Sequence, residues 1–165
     1  MNAYSLNGWE AYFTASAGAA AALAGLLFVA VSINLSRIIT IPGMSVRAAE
    51  TFIPVALVLI ISLQALVPER SITLFGWELA IMGGVAWLNS SVLEIRALKN
   101  RHFVRAGHFV FRFCMNQAAT LPLAICGGSL LAKSGGGLAW LVPAVSFCFA
   151  GVMANAWILL VAIAH

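Results

Sequence analysis

The 165-residue chain is too apolar to be a soluble domain. Hydrophobic residues make up 62% of it and charged residues 8%, whereas a soluble domain is about 45–50% apolar and about 25% charged. So few charges cannot give the protein a hydrated surface, and lipid must therefore cover most of it. The net charge of +4 follows from basic connections between the apolar stretches and requires no nucleic-acid partner.

Five apolar stretches have a length suited to a bilayer. A hydrocarbon core about 30 Å thick requires about 20 apolar residues per helix, so the chain has room for about five or six spans. Breakers at Pro42, Pro68 and the glycines from Gly135 to Gly137 separate several of the stretches. The sequence predicts one all-α integral membrane domain over 1–165, a compact bundle of about five transmembrane helices at 10–36, 48–67, 72–95, 107–132 and 138–163.

Basic residues are distributed unevenly among the connections. The first and third connections carry most of them, and the other side carries two, Arg70 and Lys133. Lysine and arginine in short loops stay preferentially in the cytoplasm. We therefore expect the N-terminus to lie outside and the C-terminus at His165 to lie inside.

Small residues are dense in span one, where they form two rows at four-residue spacing. Membrane helices associate through small residues because these let two backbones approach closely. The density predicts that span one is a central helix with neighbours on more than one side. These neighbours belong either to the same chain or to another subunit. The residues expected at helix contacts are Gly18, Ala22, Gly25, Gly76 and Gly84.

A polar stripe recurs every four residues along span four. It comprises His108, Arg112, Asn116 and Thr120, with Arg105 one turn earlier and Gln117 beside Asn116. Side-chain amides inside the bilayer need partners there, because lipid offers none. Either the stripe makes interhelical hydrogen bonds that fix the bundle, or it lines a wet cavity or pore. The candidate partners on other spans are Gln64, Asn89 and Asn155, with Glu50 as an ion-pair partner for Arg112.

Motifs for catalysis are absent from the sequence. It contains no His-Glu-x-x-His, no Gly-x-Ser-x-Gly and no phosphate-binding glycine loop. Cys114, Cys126 and Cys148 are not spaced as a Cys-x-x-Cys pair, and small buried side chains are their simplest interpretation. We therefore expect no enzymatic activity, no cofactor and no bound metal.

One segment resembles a known group of proteins. The run from Gly8 to Phe13, followed by alanine-rich sequence and the run from Leu26 to Leu35, resembles the first helix of a group of small bacterial multi-span membrane proteins. The resemblance implies a bacterial source, and hence the cytoplasmic (inner) membrane, but it assigns no function and no site residues.

Two functions are consistent with these patterns. In the first, identical subunits associate through small-residue faces and form a pore or cavity for ions or small solutes. Arg105 and Arg112 at its inner mouth would favour anions. In the second, the protein is a non-conducting accessory or scaffold subunit that binds another membrane protein through the same faces.

Overall fold

A computed structural model of the protein describes residues 3–40, 44–99 and 106–164. Within these ranges every regular element is helical, so the all-α prediction is confirmed. The elements are α1 (Glu10–Ile33), α2 (Leu35–Thr40), α3 (Met44–Ala65), α4 (Ile72–Lys99), α5 (Ala106–Ala132), a 3₁₀ turn (Gly137–Trp140) and α6 (Leu141–Ala164).

Three of the described helical segments are long and apolar enough to cross a membrane. They are Glu10–Ile33, Ile72–Val92 and Gly137–Trp157, and α3 contains a shorter apolar segment, Thr51–Ala65. The second segment includes the turn after Ser71, which lengthens an otherwise short span. These helices support the expectation of a membrane protein.

The long helices alternate in direction between two ends of the bundle. At one end, the backbone N–H of Leu138 donates to the carbonyl of Ala3 at 2.8 Å, which joins the start of the chain to the α5–α6 connection. We call this end, with residues 3–9, 66–71 and 133–140, the cap end. The opposite end contains α2, the start of α3 and the end of α4. We call it the basic end because Arg47 at the start of α3 and Arg96 and Lys99 at the end of α4 lie there.

Helices α4 and α5 form a tight antiparallel pair through two glycines that were not among the predicted contact residues. A Cβ atom on Gly83 would lie 2.7 Å from the backbone nitrogen of Ala124, and one on Gly127 would overlap the backbone of Ala80. Gly76 also lies at this contact, against Leu130 and Leu131, whereas a Cβ on Gly84 would have no neighbour within 4 Å. Close backbone approach therefore requires glycine at positions 83 and 127.

Helix α1 lies at the side of the bundle. It packs mainly against α3 and buries Phe13, Ser16, Ala20 and Leu27, at the spacing of one helical face. Gly18, Ala22 and Gly25 lie on its exposed side. The expectation that α1 is central is therefore wrong for a single chain. Helices α3 and α6 are the more central ones, because α3 contacts α1, α4 and α6, and α6 contacts α1, α3 and α5.

The buried core forms two clusters along the bundle axis. The cap-end cluster includes Phe13, Phe75, Leu79 and Leu123, and the rings of Phe13 and Phe75 meet edge to face with centroids 6.1 Å apart. The second cluster, which extends toward the basic end, joins α1, α3, α5 and α6 through residues such as Val55, Val145, Cys148 and Val152. The cap half is thus closed by large apolar side chains.

Candidate functional site

The interior face of α5 changes from apolar to polar along its length. Near the cap end, this face consists of Leu130, Cys126 and Leu123, with Leu123 only 1% exposed. Ala119 continues the face at 8% exposure, and Asn116 follows it at helical spacing and is half-buried. Asn116 therefore continues the interior face of α5 with part of its side chain accessible.

Helix α6 shows the same change at a similar depth. Its buried face runs through Leu141, Cys148 and Val152, and the next residue on this face is the half-buried Asn155. At 1.5 Å per residue, Asn155 lies about 21 Å and Asn116 about 24 Å from the cap-end termini of their helices. Two amides on adjacent helices therefore share one level of the bundle.

Helix α4 and one side of α3 become more accessible toward the basic end, whereas another side of α3 stays buried there through Val55, Thr51 and Ala48. On α3 the buried Ile61 is followed on the same face by the half-buried Leu57 and Pro54. On α4 the buried Gly83 is followed by the half-buried Ser90. We give the name vestibule to the space that the half-buried Pro54, Ser90, Asn116 and Asn155 would border.

Gln117, next to Asn116, has a different role. It lies on the side of α5 that contacts α4, where its Oε1 accepts a hydrogen bond from Trp87 Nε1 at 2.6 Å. Its Nε2 donates to Ser91 Oγ at 3.4 Å. Gln117 therefore makes the interhelical hydrogen bonds that the sequence suggested, although with two residues that were not among the candidate partners.

The candidate partners lie elsewhere. Gln64 is one residue from the cap-end terminus of α3, so within one chain it lies far from the level of Asn116. Asn89 lies at a suitable depth but is exposed, on another side of α4 from Trp87 and Ser91. Thr120 donates to the carbonyl of Asn116 at 2.8 Å, within α5.

Several predicted site residues fall outside the structural description. Arg105 lies outside the described residues, and the side chains of His108, Arg112 and Glu50 are likewise not described. The proposed pair between Glu50 and Arg112 therefore stays a prediction.

An ion pair that the sequence patterns did not predict lies at the cap end of α4. Arg70, just before α4, binds the carboxylate of Glu78. The side chains are 17% and 38% exposed, respectively, and Arg70 Nε and Glu78 Oε2 are buried without a hydrogen-bond partner. The signal available in the sequence was a pair of opposite charges flanking the start of a span.

The cap itself is held by hydrogen bonds across the chain. The hydroxyl of Tyr4 accepts from the backbone N–H of Gly136 at 3.0 Å, and Ser129 Oγ accepts from that of Gly137 at 2.8 Å. Gly137 has a φ of 52°, and a Cβ there would overlap the carbonyl of Ala3. Glycine is therefore needed where the start of the chain crosses the α5–α6 connection.

The chemistry available in the vestibule is hydrogen bonding. Amides donate and accept, and so do hydroxyls, so the described lining can replace part of the hydration of a polar solute. Among the described residues, no group of three His, Cys, Asp or Glu side chains could hold a metal ion. Comparison with protein-family models, curated proteins and solved structures gave no match.

Proposed function

We propose that this protein is a five-span protein of a bacterial inner membrane that forms a cavity or pore for small polar solutes or ions. The N-terminus and the cap end lie outside, and the vestibule opens toward the cytoplasm at the basic end. Identical subunits associate around it, and Arg105 and Arg112 near the inner mouth make anions the preferred ions.

One observation carries this proposal. The interior faces of α5 and α6 pass from buried residues in the cap half to the half-buried Asn116 and Asn155 nearer the basic end, where α4 carries the half-buried Ser90. Polar groups inside a membrane protein usually face other protein groups or a water-filled space. These three side chains keep accessible surface at one end of the bundle, which supports a water-filled vestibule there.

The apolar cap-end cluster is the barrier to conduction in this proposal. Phe13, Phe75, Leu79 and Leu123 are each at most 2% exposed, so the vestibule ends below them in the described conformation. Apolar constrictions of this kind gate channels by excluding water. Movement of solute across the membrane then requires these side chains to separate.

Flux through reconstituted vesicles tests the proposal. Purified protein should pass small anions faster than cations. Asn116→Leu should reduce the flux because it removes a polar group from the vestibule, and Arg112→Glu should shift selectivity toward cations. Asn89→Leu is the matched control because Asn89 lies on an exposed side of α4. Zero flux of ions and small solutes at every voltage and pH would contradict the proposal.

A second function is favoured by a different observation, the exposed small-residue side of α1. A Cβ atom added to Gly18 or to Gly25 would have no neighbour within 4 Å, so another transmembrane helix can approach this side closely. A non-conducting accessory or scaffold subunit would use the surface in that way. It predicts zero flux from purified protein, and loss of a membrane-protein partner when Gly18 is enlarged.

A further inference from the structure

The outward side of α4, opposite the buried Leu79, carries a continuous apolar stripe. Its members are large apolar side chains that are 43–63% exposed and follow one another at steps of three or four residues. They are Leu74, Trp77, Ile81, Val85, Leu88, Val92 and Ile95. From Ile81 onward the steps alternate between four and three, which is the heptad spacing with which two helices pack along a common line. We call these seven residues the α4 seam.

The α4 seam has the length and the area that a helix pair in a membrane needs. At 1.5 Å per residue, Leu74 and Ile95 lie about 32 Å apart along α4, and a hydrocarbon core is about 30 Å thick. Large apolar side chains that are about half exposed present about 100 Å² each, so the seam offers about 700 Å² per subunit. A standard protein interface buries about 800 Å² per partner, so the seam alone approaches the area of a stable pair.

A polar side chain at the edge of the seam favours a protein over lipid as its cover. Asn89 is exposed, and it lies between Leu88 and Val92 in the membrane-competent segment Ile72–Val92. Within the part of the chain that the structure describes, its amide has no hydrogen-bond partner. Acyl chains offer neither donors nor acceptors, whereas a neighbouring helix offers both.

We propose that two copies of this chain pair through the α4 seam, side by side in the membrane. Both copies cross the membrane in the same direction, so the two α4 helices run parallel and a two-fold axis brings equal levels of the seam together. The leucine and isoleucine side chains of the seam then interdigitate with those of the other copy. The two Asn89 amides reach the same level at the edges of the pair, where each can donate to and accept from polar groups of the other α4.

This inference rests on the proposed function, in which identical subunits associate, and it names the face that joins them. A second copy presents the same repeat at the same depth, so one helix face satisfies both partners. The residues that border the vestibule come from one chain, so the pair and the vestibule can be tested separately.

Oxidative crosslinking in native membranes maps the contact. Every variant carries Cys114→Ser, because Cys114 is the exposed cysteine and the other two are buried. Ile81→Cys and Leu88→Cys should each form a disulfide-linked dimer on mild oxidation. Leu26→Cys is the matched control, because Leu26 is a leucine of α1 that is 69% exposed, and it should give at least tenfold less dimer.

The role of the amide is measured as the dissociation constant of the pair in detergent, by sedimentation equilibrium. Asn89→Leu should raise the Kd about fivefold to thirtyfold, because it removes interhelical hydrogen bonds. Asn89→Gln, which keeps the amide, should recover most of this loss, and Gly18→Leu on α1 should leave the Kd unchanged. The thermal stability of the dilute, separated subunits should be equal in all variants, so a folding defect would be visible.

Three outcomes would overturn the pair. They are no dimer from either Ile81→Cys or Leu88→Cys, a larger yield of dimer from Leu26→Cys, and an unchanged Kd in Asn89→Leu. The first means that lipid or a different protein covers the seam, and the second means that α1 is the interface. Flux through vesicles tests the proposed function apart from the pair: zero flux from crosslinked dimer rejects the vestibule and leaves the pair, whereas flux without any crosslinking rejects the pair alone.

Discussion

Asn116 and Gln117 are adjacent in the sequence, but α5 turns about 100° between them, and their environments differ accordingly. Gln117 meets Trp87 and Ser91 on α4, whereas Asn116 continues the interior face of Leu123 and Ala119. Four-residue spacing predicts which side chains share a face of one helix. It does not predict which neighbouring helix that face meets, so the sequence alone did not separate the roles of these two amides.

For the single residue Gln117, we predict that Gln117→Leu destabilises the protein by about 0.5–2 kcal/mol. The change leaves the indole N–H of Trp87 without its acceptor, and interhelical hydrogen bonds in membranes have values in this range. Trp87→Phe should cost a similar amount, with the two effects less than additive in the double variant. Reversible unfolding in detergent measures these energies. An equal cost for Asn89→Leu, on an exposed side of α4, would mean that the loss is not specific to this hydrogen bond.

Among the elements, the α4–α5 pair shows where small residues are required. Both Gly83 and Gly84 are small residues in one span, yet only Gly83 approaches an opposing backbone. The same distinction separates Gly127 from Gly128. Small-residue spacing therefore indicates where helices are able to approach, and the register of the pair decides which glycine does so.

Matched alanine substitutions test this register. Gly127→Ala should destabilise the protein by about 2 kcal/mol or more, because its Cβ would overlap the backbone of Ala80, which cannot move as a side chain can. Gly128→Ala has no neighbour within 4 Å and should be neutral or stabilise by up to about 1 kcal/mol through helix propensity. Thermal unfolding of the two variants measures these changes in stability. Equal losses of stability would indicate that α4 and α5 pack in a different register.

Helix α1 allows stability and association to be measured separately. Because a Cβ on Gly18 would have no neighbour within its own chain, Gly18→Leu should leave the thermal stability of the monomer unchanged. If α1 contacts a second subunit or another membrane protein, the same change should break that complex. Light scattering and crosslinking in detergent report the complex. An unchanged oligomer would show that this side of α1 faces lipid.

For the whole molecule, the bounds of the long helices lie close to those of the predicted spans, whereas the short α2 was not predicted and the crossing of the membrane by five helices stays a prediction. The predicted spans at 72–95 and 107–132 correspond to Ile72–Lys99 and Ala106–Ala132, because apolar length and breakers are local properties. The lateral order of the helices did not follow. Alanine and glycine also suit a lipid-facing surface, so the small-residue rows of α1 did not identify the central helix.

The orientation of the bundle gives a prediction for the whole chain. Cysteine labels at Ser5 and Ser134 lie at the cap end and should react from outside intact cells. A label at Lys99, at the end of α4, should react only after permeabilisation, because basic connections stay in the cytoplasm. External labelling at Lys99 would reverse the orientation and place the vestibule mouth outside.

The central claim, a water-filled vestibule open at the basic end, is tested most directly by a cysteine scan along the interior face of α5. Each variant carries Cys114→Ser and is treated with a membrane-impermeant thiol reagent on either side of sealed vesicles. Asn116→Cys should react at least tenfold faster than Leu123→Cys, and only from the basic-end side, because Leu123 lies in the closed cap-end cluster. If neither cysteine reacts with the reagent from either side of the vesicle, the vestibule does not exist.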